Sequence, residues 1–185
     1  MEIQFNGAQS FLLKGKKVKC IFDPEENFSE DVGFAMFSGQ GADSKVKRKK
    51  DLRLPGEFEI AGALIQGFYT DDNSNVVYKV LLEDVAVISF GAMKQIPEGT
   101  FFEGLGDTVD VALINLSSDF DEKKAKELIE KVEPRMVILG GDNAYFPKMV
   151  ENAGAKNRED NPLKISKSSL SDEKTEVVIL SVQKD

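Results

Sequence analysis

Up to residue 90 the chain is divided into short runs of alternating apolar and polar residues, each closed by glycine, proline, aspartate or asparagine. A period of two puts successive side chains on opposite faces of a strand, so this half can bury its apolar residues only by stacking sheets. Ile3 and Phe5 alternate with polar residues, and Phe11-Leu12-Leu13 runs into Lys14-Gly15-Lys16. Val18, Cys20 and Phe22 then alternate with Lys17 and Lys19 before Asp23-Pro24, which predicts a hairpin ending in a loop. A further buried strand is expected over residues 31–37, followed by Ser38-Gly39-Gln40-Gly41-Ala42-Asp43-Ser44, which has no apolar period. Leu54-Pro55-Gly56 reads as a turn, residues 57–68 resume the β pattern, and residues 71–75 break it. Residues 76–82 and 85–90 flank Glu83-Asp84 as the arms of a hairpin.

The second half alternates strand and helix. Residues 109–116 form a strand candidate, and Ser117-Ser118-Asp119 offers N-cap chemistry for a helix near 121–133. In that helix Ala125, Leu128, Ile129 and Val132 make one apolar stripe, and Pro134 ends it. Residues 136–139 predict a strand running into Gly140-Gly141-Asp142-Asn143, residues 145–153 a short helix capped by Gly154, and residues 176–182 a closing strand.

A length of 185 residues, 41% of them hydrophobic, suits one domain spanning 1–185, since no linker, repeat or low-complexity block divides it. No apolar run approaches the ~20 residues of a membrane span, and the first residues do not read as a secretory signal. The single cysteine, Cys20, excludes an intramolecular disulfide and any cysteine-rich zinc site, so a reducing cytoplasm is expected. Net charge is −8, which argues against general nucleic-acid binding. The charge is uneven, however: residues 1–53 hold ten Lys/Arg against eight Asp/Glu, residues 54–185 fourteen against twenty-four. The chain has no histidine, which removes the commonest metal ligand and neutral-pH base.

Five landmarks carry a resemblance. They are Gly7-Ala8-Gln9-Ser10-Phe11; Ile21-Phe22-Asp23-Pro24; Pro55-Gly56-Glu57-Phe58-Glu59-Ile60 followed by Gly62; Ser89-Phe90-Gly91-Ala92; and residues 134–141 ending in Gly140-Gly141. In order and spacing they resemble the metallo-β-lactamase superfamily, and within it the small lactonase-like branch related to ascorbate-phosphate lactonase. The resemblance implies an α/β (α+β) fold, an αββα sandwich with mixed sheets and outer helices. It also aligns that family's metal-binding Thr-His-x-His-x-Asp-His with residues 38–44, its bridging aspartate with Ala92 and its last histidine with Gly141. The former ligand positions are then Gly39, Gly41, Asp43, Ser44, Ala92 and Gly141, of which only Asp43 keeps a carboxylate. A third-motif histidine expected near 69–72 is also missing.

A non-catalytic binding or scaffolding protein without cofactor, assembled as a homo-oligomer, is the leading expectation. A second reading gathers Asp23, Asp43, Glu57 and Asp142 around Mg²⁺ or Mn²⁺ for hydrolysis of a phosphate ester or lactone, since carboxylates suit hard cations. A third uses Lys45, Lys47, Arg48, Lys49 and Lys50 as a polyanion or nucleic-acid contact. Nucleophilic catalysis has little support, because Ser10, Ser38, Ser44 and Ser89 lack a histidine base.

Overall fold

The computed structural model of the chain describes residues 1–39, 47–70, 74–106 and 108–182. The first strands are β1 (Glu2–Gly7), β2 (Ser10–Lys14), β3 (Lys19–Phe22), β4 (Phe34–Met36) and β5 (Asp51–Leu52). With β13 (Leu163–Lys164) they form a six-stranded mixed sheet in the order β13-β1-β2-β3-β4-β5. The second sheet joins β6 (Gly56–Ile60), β7 (Ala63–Tyr69), β8 (Val76–Leu82), β9 (Val85–Ser89), β10 (Val111–Leu116), β11 (Met136–Gly141), β12 (Lys156–Arg158) and β14 (Glu176–Leu180). Its order is β12-β14-β11-β10-β9-β8-β7-β6, antiparallel from β6 to β9 and parallel from β9 onward.

The change from antiparallel to parallel follows the sequence. Strands joined by two-residue turns must lie antiparallel. Glu83 and Asp84 take φ of 51° and 66°, the left-handed pair that closes a tight hairpin. A parallel partner instead needs a crossover, which α2 (Glu122–Val132) supplies between β10 and β11.

Apolar side chains from both sheets meet between the layers. Phe5, Phe11, Leu13, Phe22 and Phe34 from the smaller sheet pack with Ile65, Tyr78, Val87, Leu113 and Ile138 from the larger. Each such burial stabilises by about 1.5–3 kcal/mol. On the far side of the larger sheet, α2 and α3 (Phe146–Ala153) cover Ala112, Ile114, Val137 and Leu139. A one-turn helix, α1 (Phe101–Gly104), adds Phe101 and Phe102 to that layer. The far side of the smaller sheet buries Leu12, Ile21, Val32, Ala35 and Phe37, with Phe28 from the loop after β3 lying on them.

The helix starts later than the serines suggest. Asp121 is the N-cap, its carboxylate accepting from the N–H groups of Lys123 and Lys124, both at 3.1 Å. Ser117 Oγ instead accepts from Asp119 and Phe120, making the turn that precedes the cap. At the other end Glu133 turns left-handed at φ 48° before Pro134. Cys20 is fully buried in β3, and burial pushes its thiol up, as expected of an inert core cysteine. None of the helices among the described residues is long and apolar enough to cross a membrane.

Candidate functional site

Parallel strands β10 and β11 end together at Leu116 and Gly141, with β9 ending level with Leu113, and alternation directs Ser89, Asn115 and Gly140 into the space between the sheets beyond Val87, Leu113 and Ile138. From the facing sheet the parallel pair β3 and β4 ends in Asp23 and Ser38. Both sheets thus deliver polar residues to one rim, the kind of place where α/β folds bind ligands.

The rim is held by side chain to backbone bonds. Asp23 accepts the Ser38 N–H at 2.7 Å through Oδ1. The Ala92 N–H donates to both Ser38 Oγ, at 3.2 Å, and Asn75 Oδ1, at 3.1 Å. Asn75 Nδ2 donates to Phe90 O at 2.9 Å, and Asn115 Nδ2 to Gly91 O at 3.1 Å. The loop after β9 is therefore tied to β4, to the residue before β8 and to β10. Burial pushes the Asp23 carboxyl up to about 6, against the Ser38 bonds that favour its charged form.

Two glycines fit the backbone so closely that no side chain has room. Gly91 has φ 60°, and a Cβ there would stand 2.5 Å from Ser38 Oγ and 2.8 Å from Asn75 Oδ1. Gly141 has φ 85°, donates to Ala8 O at 2.5 Å, and would bring a Cβ to 2.5 Å from Leu116 N while overlapping the Leu116 carbonyl. Between them Ser89 Oγ and Asn115 Oδ1 are buried without a hydrogen-bond partner among the described residues, as is Ser10 Oγ. A cavity of about 310 Å³ opens beside this rim, lined by Thr70, Ser74, Met93, Lys94, Ile96 and Glu98 among others.

No family model matches the sequence, and no curated protein matches it. Solved structures do. A protein assigned to the Zn-dependent hydrolases of the metallo-β-lactamase superfamily from Thermotoga maritima is 20% identical, with a TM-score of 0.79 over 97% of this chain and 99% of that one. The metallo-β-lactamase sandwich is the fold of this chain. A protein assigned as a metal-dependent hydrolase from Parabacteroides distasonis, 12% identical, gives 0.65 over 98% and 93% of the two chains. Igni18, a metallo hydrolase from Ignicoccus hospitalis, is 16% identical and gives 0.55 over 88% and 96%.

On this metallo-β-lactamase fold the positions singled out in the sequence are only partly gathered. Gly39 and Ala92 follow the ends of β4 and β9 and Gly141 is the last residue of β11, whereas Gly41, Asp43, Ser44 and Lys45 lie outside the described residues. Ala92 and Gly141 supply no side-chain donor, and among the described residues no three His, Cys, Asp or Glu side chains stand together to hold an ion. The described donors therefore do not fit the di-zinc centre that the fold implies. Nor do Asp23, Glu57 and Asp142 form a carboxylate cluster. Asp142 caps the turn at Asn143–Tyr145 through Ala144 N at 2.9 Å, and Glu57 sits exposed on β6 beside Gln66.

Of the basic run, Lys47, Lys49 and Lys50 are exposed along the β5 side of the smaller sheet. Arg48 pairs with Asp51 and lies 5.4 Å from the Phe37 ring centroid, where Arg53 also stacks at 3.8 Å. Asn75 and Asn115 are the residues that motif reasoning misses. Asn115 has a signal, being the one polar residue in the apolar run Val111–Leu116. Asn75 has none, since asparagine in a polar loop is ordinary.

Proposed function

We propose that this chain is a metallo-β-lactamase-fold protein of the small lactonase-like branch that has lost the metal centre and acts by binding or scaffolding. The observation that carries this reading is the use of the rim's polar groups. Ser38 Oγ and Asn75 Oδ1 are spent on the Ala92 N–H and Asn115 Nδ2 on Gly91 O, which leaves Asn115 Oδ1 and Ser89 Oγ, neutral oxygens rather than charged ligands, unpartnered among the described residues. A ligand shell needs free donors around an open coordination position, supported by further hydrogen bonds behind them. The close backbone contacts at Gly91 and Gly141, which leave no space for longer side chains there, support the same reading. The adjoining cavity of about 310 Å³ is at the small end of ligand-binding pockets, and its mixed lining suits a small polar ligand.

Elemental analysis of protein purified without chelators tests this. Zinc, manganese and iron are expected far below one per chain, and the melting temperature is expected to be unchanged by EDTA. Stoichiometric metal would overturn the reading. Hydrolysis of a phosphate ester or lactone that requires added Mg²⁺ or Mn²⁺ and disappears with Asp43→Ala would replace it with the carboxylate-bound cation.

A further inference from the structure

Three residues, Arg53, Leu54 and Pro55, carry the chain from β5 to β6. Each of these strands is the last of its sheet, so one side of the sandwich exposes two edges at once. The linker between them is fixed: Tyr78 Oη donates to Leu54 O at 3.3 Å, and the Gly67 backbone packs closely beneath Pro55. Fixed as it is, it presents Leu54 at 63% exposure, the most exposed large apolar side chain among the described residues. An apolar side chain held rigidly in water is the kind of anchor that interfaces bury.

The two edges carry opposite charge. On β6, Glu57 and Glu59 are exposed and no basic residue lies between 54 and 60. Ile60 and Ala63 are the closing pair of a two-residue hairpin, so alternation turns the backbone groups of Glu57 and Glu59 away from β7. Beside β5, Lys47, Lys49 and Lys50 are exposed, while the strand's own exposed carboxylate, Asp51, is paired with Arg48 and Arg53 and leaves the segment net basic. An uncovered edge invites another strand, and natural proteins manage it with charge. Either edge is repelled by its own copy, because β6 against β6 sets glutamate across from glutamate. Each is complementary to the other.

We propose that two copies of this chain form a two-fold dimer through this side, the acidic β6 edge of each lying along the basic β5 edge of its partner and Leu54 buried near the axis. A two-fold running along the strands exchanges the layers, so the contact between acidic and basic edge occurs twice and the assembly closes.

Light scattering and sedimentation of the full chain test the arrangement. The wild type is expected to be a dimer. Glu57→Lys with Glu59→Lys, and separately Lys47→Glu with Lys49→Glu, each place like charges in both contacts and are expected to weaken association by ~100-fold or more. Leu54→Asp is expected to do the same. An equimolar mixture of the two charge-reversed proteins is expected to dimerise again, because a heterodimer of these variants is complementary in both contacts. All the substituted side chains are on the surface, and circular dichroism matching wild type shows that the variants fold. A monomeric wild type, a dimer unaffected by the reversals, or folded variants that fail to associate when mixed would overturn the proposal.

Discussion

Asp23 follows β3 with a φ of 43°, beneath the rim and partly out of water. Its folded pKa of about 6 lies above the ordinary 3.8, so between those values the folded state holds more proton than the unfolded one. Stability linked to Asp23 is therefore greatest below about pH 4 and is lost as pH rises through 6. Asp23→Asn keeps an acceptor for the Ser38 N–H and tolerates the left-handed backbone. It is expected to flatten the fall in melting temperature between pH 4.5 and 7 and to leave the protein at least as stable at pH 7, as measured by thermal unfolding across pH. Gly141→Ala is expected to cost about 2 kcal/mol or more in denaturant unfolding, from left-handed strain and the clash with Leu116. At this scale the sequence is informative about what the positions aligned with that family's ligands lack, because residue type alone settles whether a side-chain donor exists. It was silent on Ser38, Asn75 and Ala92, whose bonds join residues 17 to 54 positions apart.

Single elements were legible where local physics decides them. The hairpin β8–β9 follows from alternation and turn chemistry, and α2 from its stripe, with Ala125 and Leu128 buried as the spacing requires, whereas the single run expected over 57–68 is divided into β6 and β7 by a turn at Ala61 and Gly62, both at positive φ. Eleven residues are too few for a stable isolated helix, so packing of that stripe holds α2 in place. The sequence alone does not single out the cap, because Ser117, Asp119 and Asp121 are all competent and only the path of the chain after β10 selects Asp121. Asp121→Ala is expected to lower stability by about 1 kcal/mol, and Asp119→Ala by much less, in paired urea titrations. β12 and β13 leave no signal in the sequence, for a different reason. They are three and two residues long, mostly polar, and exist because β14 and β1 offer them edges.

Across the whole molecule the layers are joined by a buried carboxylate. Asp110, fully buried before β10, accepts from Ala86 N at 2.8 Å, Arg135 Nη1 at 3.3 Å and Lys167 Nζ at 3.2 Å. Arg135 also donates to Leu170 O at 2.6 Å, so the segment at 167–170 is fastened to the start of β11. Asp110→Ala strips the acceptor from all three donors and is expected to cost about 3 kcal/mol, with Asp110→Asn costing less, by chemical denaturation.

The pairing order of the strands also sets when the structure can be completed. β14 occupies an interior place between β11 and β12, and β1 is flanked on its outer side by β13, more than 150 residues later in the chain. A ribosome emitting this chain at some tens of residues per few seconds exposes β1 and β11 with open edges until residues 163–180 emerge. Completion of the larger sheet therefore waits for β14, and a chain that has emerged only as far as residue 175 has β11 paired with β10 on one side and its apolar second edge still without β14.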